Sequence, residues 1–118
     1  MRKKLSEKKL EGKLLLYLIP FFIFFDQFTK VVAGRILPTV CNSGFAFGFG
    51  GGFLTLIIPF FILCFISWQF LNEKSFIRSI SYSLILGGGL SNFLDRLGNG
   101  CVVDFIDLWV WPAFNVAD

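Results

Sequence analysis

Three apolar stretches constrain the fold of this chain more than any other feature. They run over residues 14–33, 53–71 and 76–94 and contain 20, 19 and 19 residues. About 20 consecutive helical residues are needed to cross a hydrocarbon core of about 30 Å. The mean hydropathy is +0.72 over 118 residues, and a domain of this length cannot bury that much apolar surface on its own. The sequence therefore predicts a single domain that is a mainly α-helical membrane protein, a bundle with three transmembrane helices.

Basic residues are distributed unevenly along the chain. Six of the eleven Lys and Arg residues lie within residues 1–13, before the first apolar stretch. Cytoplasmic flanks of membrane helices are enriched in Lys and Arg, so we expect a cytoplasmic N-terminus, with residues 34–52 and 95–118 outside. A basic run can also bind nucleic acid, but its position beside a hydrophobic segment favours a membrane anchor, and no nucleic-acid partner is expected. No small-residue cleavage site follows the first stretch, which predicts a retained helix.

Glycines mark two parts of the chain. The outer segment 34–52 combines glycines with aromatic residues, which is typical of strands and turns at a membrane interface. Gly87, Gly88 and Gly89 remove side chains over nearly one turn of the third helix. Small residues at such positions let neighbouring backbones approach closely, so we expect tight helix packing there.

The cysteines and the absence of histidine limit the chemistry. Cys41, Cys64 and Cys101 match neither a zinc spacing nor a CxxC motif. A disulfide between Cys41 and Cys101 is feasible if both face outward, but we expect free thiols. The chain has no His, which excludes His-based triads and HExxH metal sites. We expect no metal and no cofactor.

Polar residues cluster at the outer ends of the first and third apolar stretches. Asp26 and Lys30 are four residues apart, so they share a helical face and can form an ion pair. Asn92, Asp95 and Arg96 have the spacing i, i+3 and i+4, which also puts them on one face. Ionisable groups beside a membrane span are costly, and they indicate either a structural ion pair or a functional site.

Two further carboxylates lie among apolar residues on the outer side. Asp104 follows Val102 and Val103, and Asp118 is fourteen residues further on. Two facing aspartates share a proton, because both cannot easily ionise side by side. One can then act as a base toward water while the other donates a proton to a carbonyl oxygen. This is peptide hydrolysis without a metal or covalent intermediate, and the alternative is a pair of ordinary interfacial carboxylates.

Five blocks in the same order resemble those of lipoprotein signal peptidase, the membrane aspartyl peptidase that cuts bacterial prolipoproteins. They are Asp26-Gln-Phe-Thr-Lys30, Asn42-Ser-Gly-Phe-Ala-Phe-Gly48, Asn92-Phe-Leu-Asp-Arg96, Val102-Val-Asp-Phe-Ile106 and Phe114-Asn-Val-Ala-Asp118. The resemblance extends from the first helix to the last residue. It implies that Asp104 and Asp118 form the catalytic dyad.

The resemblance also implies roles for the other polar residues. The expected substrate contacts are Asn42, Asn92, Arg96 and Asn115, and the expected structural polar residues are Asp26, Lys30 and Asp95. The implied substrate is a prolipoprotein whose cysteine carries diacylglycerol, cut on the N-terminal side of that cysteine. Its acyl chains would lie against the Phe-rich helices in membrane lipid, and segment 34–52 would act as an interfacial cradle. The implied protein is a monomer that crosses the bacterial inner membrane several times, with its site facing outward.

Two departures from this family pattern are visible. Ser91 occupies a position where the family usually has Gly. The family continues past its last block into a fourth membrane helix, whereas this sequence ends at Asp118. We therefore expect a fragment or truncated product that is competent only when extended, because a terminal carboxylate adds negative charge at the dyad. The alternative is an inactive homologue that binds lipid or a partner.

Two other functions fit parts of the sequence. In a Ser/Lys peptidase, a desolvated Lys30 would activate Ser43 or Ser91. A small channel or transporter subunit would need polar residues through the bilayer midplane, but the second apolar stretch carries no charge. The Ser/Lys hypothesis predicts that cleavage depends on Lys30 and tolerates Asp104→Asn, the opposite of the dyad hypothesis.

Overall fold

The computed structural model of the chain describes residues 1–44 and 52–118, with the backbone alone described at residues 9 and 10. It contains three helices and two short strands. In chain order these are α1 (Arg2–Ile36), β1 (Val40–Asn42), α2 (Leu54–Asn72), α3 (Phe76–Asn99) and β2 (Val102–Asp104). The predicted mainly helical fold is confirmed.

The described residues bury polar side chains and expose apolar ones. Phe24 on α1 is 69% exposed and Phe61 on α2 is 65% exposed, whereas Asp26 and Ser91 are completely buried. A water-soluble domain has the opposite distribution, because its stability comes from removing apolar surface from water. Lipid is the solvent that fits this surface, and the chain is a membrane protein.

Among the described helices, α1 and α2 are long and apolar enough to cross a membrane. Helix α3 has 24 residues, about 36 Å at the α-helical rise, but four serines and several charged residues make it more polar. Its serines and Asp95 are mostly buried in the bundle, including Ser79, Ser83 and Ser91. That α3 also crosses the membrane stays a prediction.

The helices extend beyond the predicted spans. Helix α1 begins at Arg2 and therefore includes the basic N-terminal residues 1–13. Helix α3 continues past residue 94 to Asn99 and stops at Gly100, which has φ 73° and donates its N–H to the Arg96 carbonyl at 3.1 Å. Glycine adopts this left-handed conformation without a steric penalty, which explains why the helix ends there.

The glycines of α3 face its two neighbouring helices. A Cβ atom on Gly87 would lie 2.8 Å from Cβ of Phe22 on α1, and one on Gly89 would lie 2.7 Å from Cδ2 of Leu63 on α2. A side chain at position 87 would force α1 to move, because the Phe22 Cβ is attached directly to its backbone, whereas the end of the Leu63 side chain could turn away from one at position 89. The predicted tight packing around α3 is confirmed.

Strands β1 and β2 form a two-stranded antiparallel sheet. Strand β1 pairs with β2 so that Val40 lies opposite Asp104. This pairing brings the Cα atoms of Cys41 and Cys101 to 5.4 Å, and the two form a disulfide. The expectation of free thiols is therefore wrong for this pair, because the strand register that joins cysteines 60 residues apart is not visible in their spacing. Cys64 is a free, exposed thiol.

The predicted strands and turns of segment 34–52 are present in part. Helix α1 includes residues 34–36, and β1 follows at Val40–Asn42. The rest of that prediction falls on residues 45–51, which lie outside the described residues.

Candidate functional site

The segment after β2 folds back onto the outer part of the bundle. Ile106 and Phe114 form a bridge in which the Phe114 N–H donates to the Ile106 carbonyl at 3.0 Å. This closes a loop and returns the chain toward α3. Ala117 then lies directly against Gly88, where a Cβ atom would collide with the Ala117 carbonyl oxygen. Glycine at position 88 is thus what lets the last residues of the segment lie against α3.

A buried ion-pair network joins α1 to α3. The Lys30 ammonium group lies 2.6 Å from Asp26 Oδ2 and 2.7 Å from Asp95 Oδ2. It also donates a hydrogen bond to Asn92 Oδ1 at 3.0 Å. The three charged side chains are at most 4% exposed, so each charge is compensated by its partners and not by water. The ion pair predicted for Asp26 and Lys30 is present.

This network is completed by Gln27, which was not a predicted site residue, and by Ser91, which was predicted only as a replacement for glycine or as an alternative nucleophile. Gln27 Nε2 donates to Asp95 Oδ1 at 2.7 Å and to Ser91 Oγ at 2.9 Å. The Ser91 hydroxyl in turn donates to Asp26 Oδ2 at 2.7 Å. The signal for Gln27 was a polar side chain next to Asp26 in an apolar helix. Ser91 therefore does more than fill the space of a glycine, since its hydroxyl connects both helices.

Asn115 links the two candidate catalytic carboxylates. Its side-chain amide donates to Asp104 Oδ1 at 2.9 Å and to Asn92 Oδ1 at 3.0 Å. Its backbone N–H donates to Asp118 Oδ2 at 3.1 Å. The residue is 2% exposed. Because one buried residue holds both carboxylates, their relative position is determined locally.

The other hydrogen bonds to this region come from the helices. Asn92 Nδ2 donates to Asp118 Oδ1 at 2.9 Å. Asp26 Oδ1 accepts the backbone N–H of Ala117 at 2.9 Å. Both oxygens of Asp118 therefore accept hydrogen bonds, and the ion-pair network is coupled directly to the backbone beside Asp118.

A cavity of about 220 Å³ opens between these elements. Asp104 and Asp118 both line it, and so do three of the four predicted substrate contacts. Its lining residues are Asn42, Asn92, Arg96, Val102, Asp104, Trp111, Pro112, Ala113, Phe114 and Asp118. The fourth predicted substrate contact, Asn115, does not line the cavity but forms hydrogen bonds with both aspartates. The cavity wall formed by residues 111–114 was not predicted as part of the site.

The surroundings of Asp104 favour its protonated form. Burial raises the pKa of its carboxyl group, and the negative charge of Asp118 raises it further. Asn42, Lys30 and Asn115 oppose this shift by stabilising the ionised form, but the net direction of the pKa is upward. A shared-proton pair needs one group that keeps its proton, and Asp104 has that property.

Arg96 joins the end of α3 to the residues after β1. Its guanidinium donates to the Gly44 carbonyl at 3.1 Å. Among the residues that the structure describes, its buried Nε has no hydrogen-bond partner. The guanidinium therefore brings a positive charge and an unused donor to the cavity wall.

A family model described as signal peptidase II matches residues 18–118 of the chain. The lipoprotein signal peptidase of Blochmanniella pennsylvanica is 38% identical over 117 residues, covering 86% of this chain and 69% of that protein. The lipoprotein signal peptidase of Thermodesulfovibrio yellowstonii is 40% identical over 110 residues, covering 86% and 73%. A solved bacterial membrane enzyme, determined by the in meso method at 2.3 Å resolution, is 29% identical with a TM-score of 0.79, covering 90% of this chain and 79% of that one.

Proposed function

The chain belongs to the signal peptidase II family of peptidases, and we propose that Asp104 and Asp118 are its catalytic pair. The substrate is a bacterial prolipoprotein, cut before a cysteine that carries diacylglycerol. This proposal rests mainly on one observation. Asp104 and Asp118 both accept hydrogen bonds from Asn115, and both line the same cavity. Names of the relatives support the prolipoprotein part of the substrate assignment.

The two aspartates have different roles in the proposed reaction. Asp104 holds the shared proton, in keeping with the upward shift of its pKa. Asp118, whose oxygens both accept hydrogen bonds, takes a proton from a water molecule. The water oxygen attacks the scissile carbonyl carbon as Asp104 donates its proton to the carbonyl oxygen. The tetrahedral gem-diol intermediate then breaks at the C–N bond as the proton held by Asp118 passes to the leaving nitrogen. One hydroxyl proton of the intermediate returns to Asp104 as the carboxylic acid forms, which restores the shared-proton pair.

The remaining polar residues have binding and positioning roles in this proposal. Asn42, Asn92 and Arg96 line the cavity and bind the substrate backbone. Asn115 holds both carboxylates. Asp26, Lys30 and Asp95 hold α1 and α3 together and brace the backbone beside Asp118.

The geometry disfavours the Ser/Lys alternative. The Lys30 ammonium group contacts Asp26 and Asp95 and donates to Asn92, so its three donor positions are taken up by groups other than a serine hydroxyl. Ser91 is completely buried and donates its hydroxyl proton to Asp26. Neither group is available for nucleophilic catalysis in this arrangement.

The proposed orientation puts the site on the outer face of the inner membrane. The basic start of α1 lies inside, all three helices cross, and residues 95–118 lie outside with the β1–β2 sheet as part of the cradle. The uneven distribution of Lys and Arg supports this topology. In this proposal the protein acts as a monomer.

The substrate assignment is tested in lipid vesicles with the purified chain and with a form extended beyond residue 118 by a fourth helix. The extended form is the one expected to cleave, and it is also the form used for the cleavage measurements below. One prolipoprotein carries diacylglycerol on its cysteine, and a matched one has the same sequence without the lipid. We expect release of the signal peptide from the first and a lipid-bearing cysteine at the new N-terminus, identified by mass. Equal cleavage of both substrates would refute the requirement for diacylglycerol, and cleavage at another bond would refute the assigned position.

A further inference from the structure

The loop between the two site segments carries an exposed apolar tip. The bridge between Ile106 and Phe114 closes the loop over residues 107–113. Leu108 is 57% exposed, and Trp109 and Val110 are each 93% exposed. No charged residue lies between Leu108 and Pro112. We call residues 108–110 the apolar tip.

The backbone of the loop holds this tip outward. Trp109 has φ 67°, a left-handed conformation that is rare for a bulky residue. The conformation is held because Asp107 Oδ1 accepts the Trp109 N–H at 2.8 Å. The Val110 N–H also donates to the Leu108 carbonyl at 2.8 Å. Local hydrogen bonds thus hold the indole on the outside of the protein.

The apolar tip lies beside the outer end of α1. Trp109 lines a cavity of about 280 Å³ together with Leu37, Pro38 and Val40. Leu37 is 49% exposed and Val40 is 53% exposed. Leu37 and the apolar tip therefore form an exposed apolar surface at this end of α1, and Asp104 and Asp107 line the cavity between them.

We propose that the apolar tip inserts into the outer interface of the bilayer and anchors the site at the depth of the lipid headgroups. Tryptophan prefers this region because its ring is apolar and its N–H can still reach polar groups. Lipid fits the tip better than a protein partner, since three consecutive apolar residues project beside the exposed apolar end of a helix that is long and apolar enough to cross a membrane.

Insertion determines where the proposed reaction takes place. Asp104 lies three residues before Asp107, and Asp118 lies six residues after Pro112, so the anchored loop connects both carboxylates. This consequence rests on the proposed function, but insertion itself does not. An anchored loop would present the cavity at the height where a lipidated cysteine leaves the acyl chain region.

Tryptophan fluorescence in vesicles tests the anchor without any need for cleavage. Trp68→Phe combined with Trp111→Phe leaves Trp109 as the only reporter, and a control with Trp109→Phe and Trp111→Phe leaves Trp68 on α2. In phosphatidylcholine brominated near the headgroup, we expect Trp109 to lose most of its emission and to respond little to aqueous acrylamide. The emission lost on going from the unaltered chain to Trp109→Phe gives the contribution of Trp109 in a protein that retains Trp111. We expect brominated lipid to quench this contribution in the same way.

Two outcomes would overturn the proposal. In one, acrylamide quenches Trp109 as fully as it quenches free tryptophan, while brominated lipid quenches only Trp68. In the other, brominated lipid reaches Trp109 only after prolipoprotein is added, which would assign the apolar tip to substrate binding. Cleavage by a chain whose Trp109 stays in water would reject the anchor and leave the peptidase proposal intact.

Discussion

At the scale of single residues, Asp104 differs from the other carboxylates because its apolar surroundings and Asp118 both act against its ionisation. Its pKa is raised in the folded state. The folded protein therefore binds a proton that the unfolded chain has already released. Such a group stabilises the fold below its ordinary pKa of about 4, and that contribution is lost as the pH rises through the raised folded-state value.

The unfolding temperature should consequently depend on pH through Asp104. Asp104→Asn cannot ionise, so we expect its unfolding temperature in detergent to fall less than that of the unaltered chain as the pH rises from acidic to neutral. The matched control is Asp107→Asn, which changes an exposed carboxylate of the same segment and should follow the unaltered chain. Parallel curves for all three proteins would contradict the raised pKa.

Lys30 is the residue whose loss should be most destabilising. Lys30→Met leaves Asp26 and Asp95 buried without their cation, and breaking a buried ion pair from one side costs about 3–5 kcal/mol. We expect a large fall in the unfolding temperature in detergent. Arg78→Met is the control, because Arg78 is 69% exposed in its pair with Glu73 and should change the unfolding temperature little. Equal effects of the two substitutions would show that the buried network is not stabilising.

At the scale of elements, α3 is the central helix. Both other helices and the returning segment that ends at Asp118 pack against it. Its three consecutive glycines face α1, residue Ala117 and α2 in turn. A stripe of glycines usually suggests one close partner. Here each glycine lies against a different neighbour, and only those of Gly87 and Gly88 include backbone atoms, which cannot turn aside.

Substitution of Gly88 should lower the rate of cleavage more than substitution of another glycine of the same helix. Gly88→Ala places a methyl group where the Ala117 carbonyl oxygen lies, so the segment that carries Asp118 must move. We expect cleavage to fall by about tenfold or more, since small displacements of catalytic groups are costly. A Cβ on Gly98 meets nothing within 4 Å, so Gly98→Ala should keep full activity. If both variants cleave equally well, Gly88 has no role in positioning Asp118.

The disulfide is the second element-scale constraint on the site. It joins Cys41, beside Asn42, to Cys101, which precedes β2. A crosslink between residues 60 apart typically contributes about 2–4 kcal/mol. Replacing both cysteines by Ala should lower the unfolding temperature, whereas Cys64→Ala should not. The addition of a reducing agent should affect the unaltered chain and leave the double variant unchanged; identical melting of the double variant and the unaltered chain would contradict this.

At the scale of the whole molecule, the features predicted from sequence are those that depend on short-range periodicity. Helical spacing was enough to predict the ion pair of Asp26 with Lys30 and the apolar length of α1 and α2. It could not predict the disulfide, or the hydrogen bond from Ala117 to Asp26, because these depend on how the chain returns after β2. Gln27 was missed for the same reason, since its partners lie on α3 and are distant in sequence.

The distribution of polarity unites these observations. Many Phe side chains are exposed, whereas the buried polar residues Asp26, Ser91, Asp104 and Asn115 lie near one another where the chain returns to α3. There the network of Lys30 supports the backbone beside Asp118, and Asn115 connects Asp118 to Asp104. A membrane enzyme needs such an arrangement because charged catalytic groups are costly elsewhere in the bilayer.

The rate of signal-peptide release by aspartate variants tests the central claim most directly. It is measured in vesicles with diacylglyceryl prolipoprotein for Asp104→Asn, Asp118→Asn and the matched control Asp107→Asn. We expect each of the first two to lower the rate by about 10²-fold or more, with the double variant no slower than either single one, and Asp107→Asn to match the unaltered chain. Full cleavage by a chain with Asn at both positions 104 and 118 would contradict the catalytic pair.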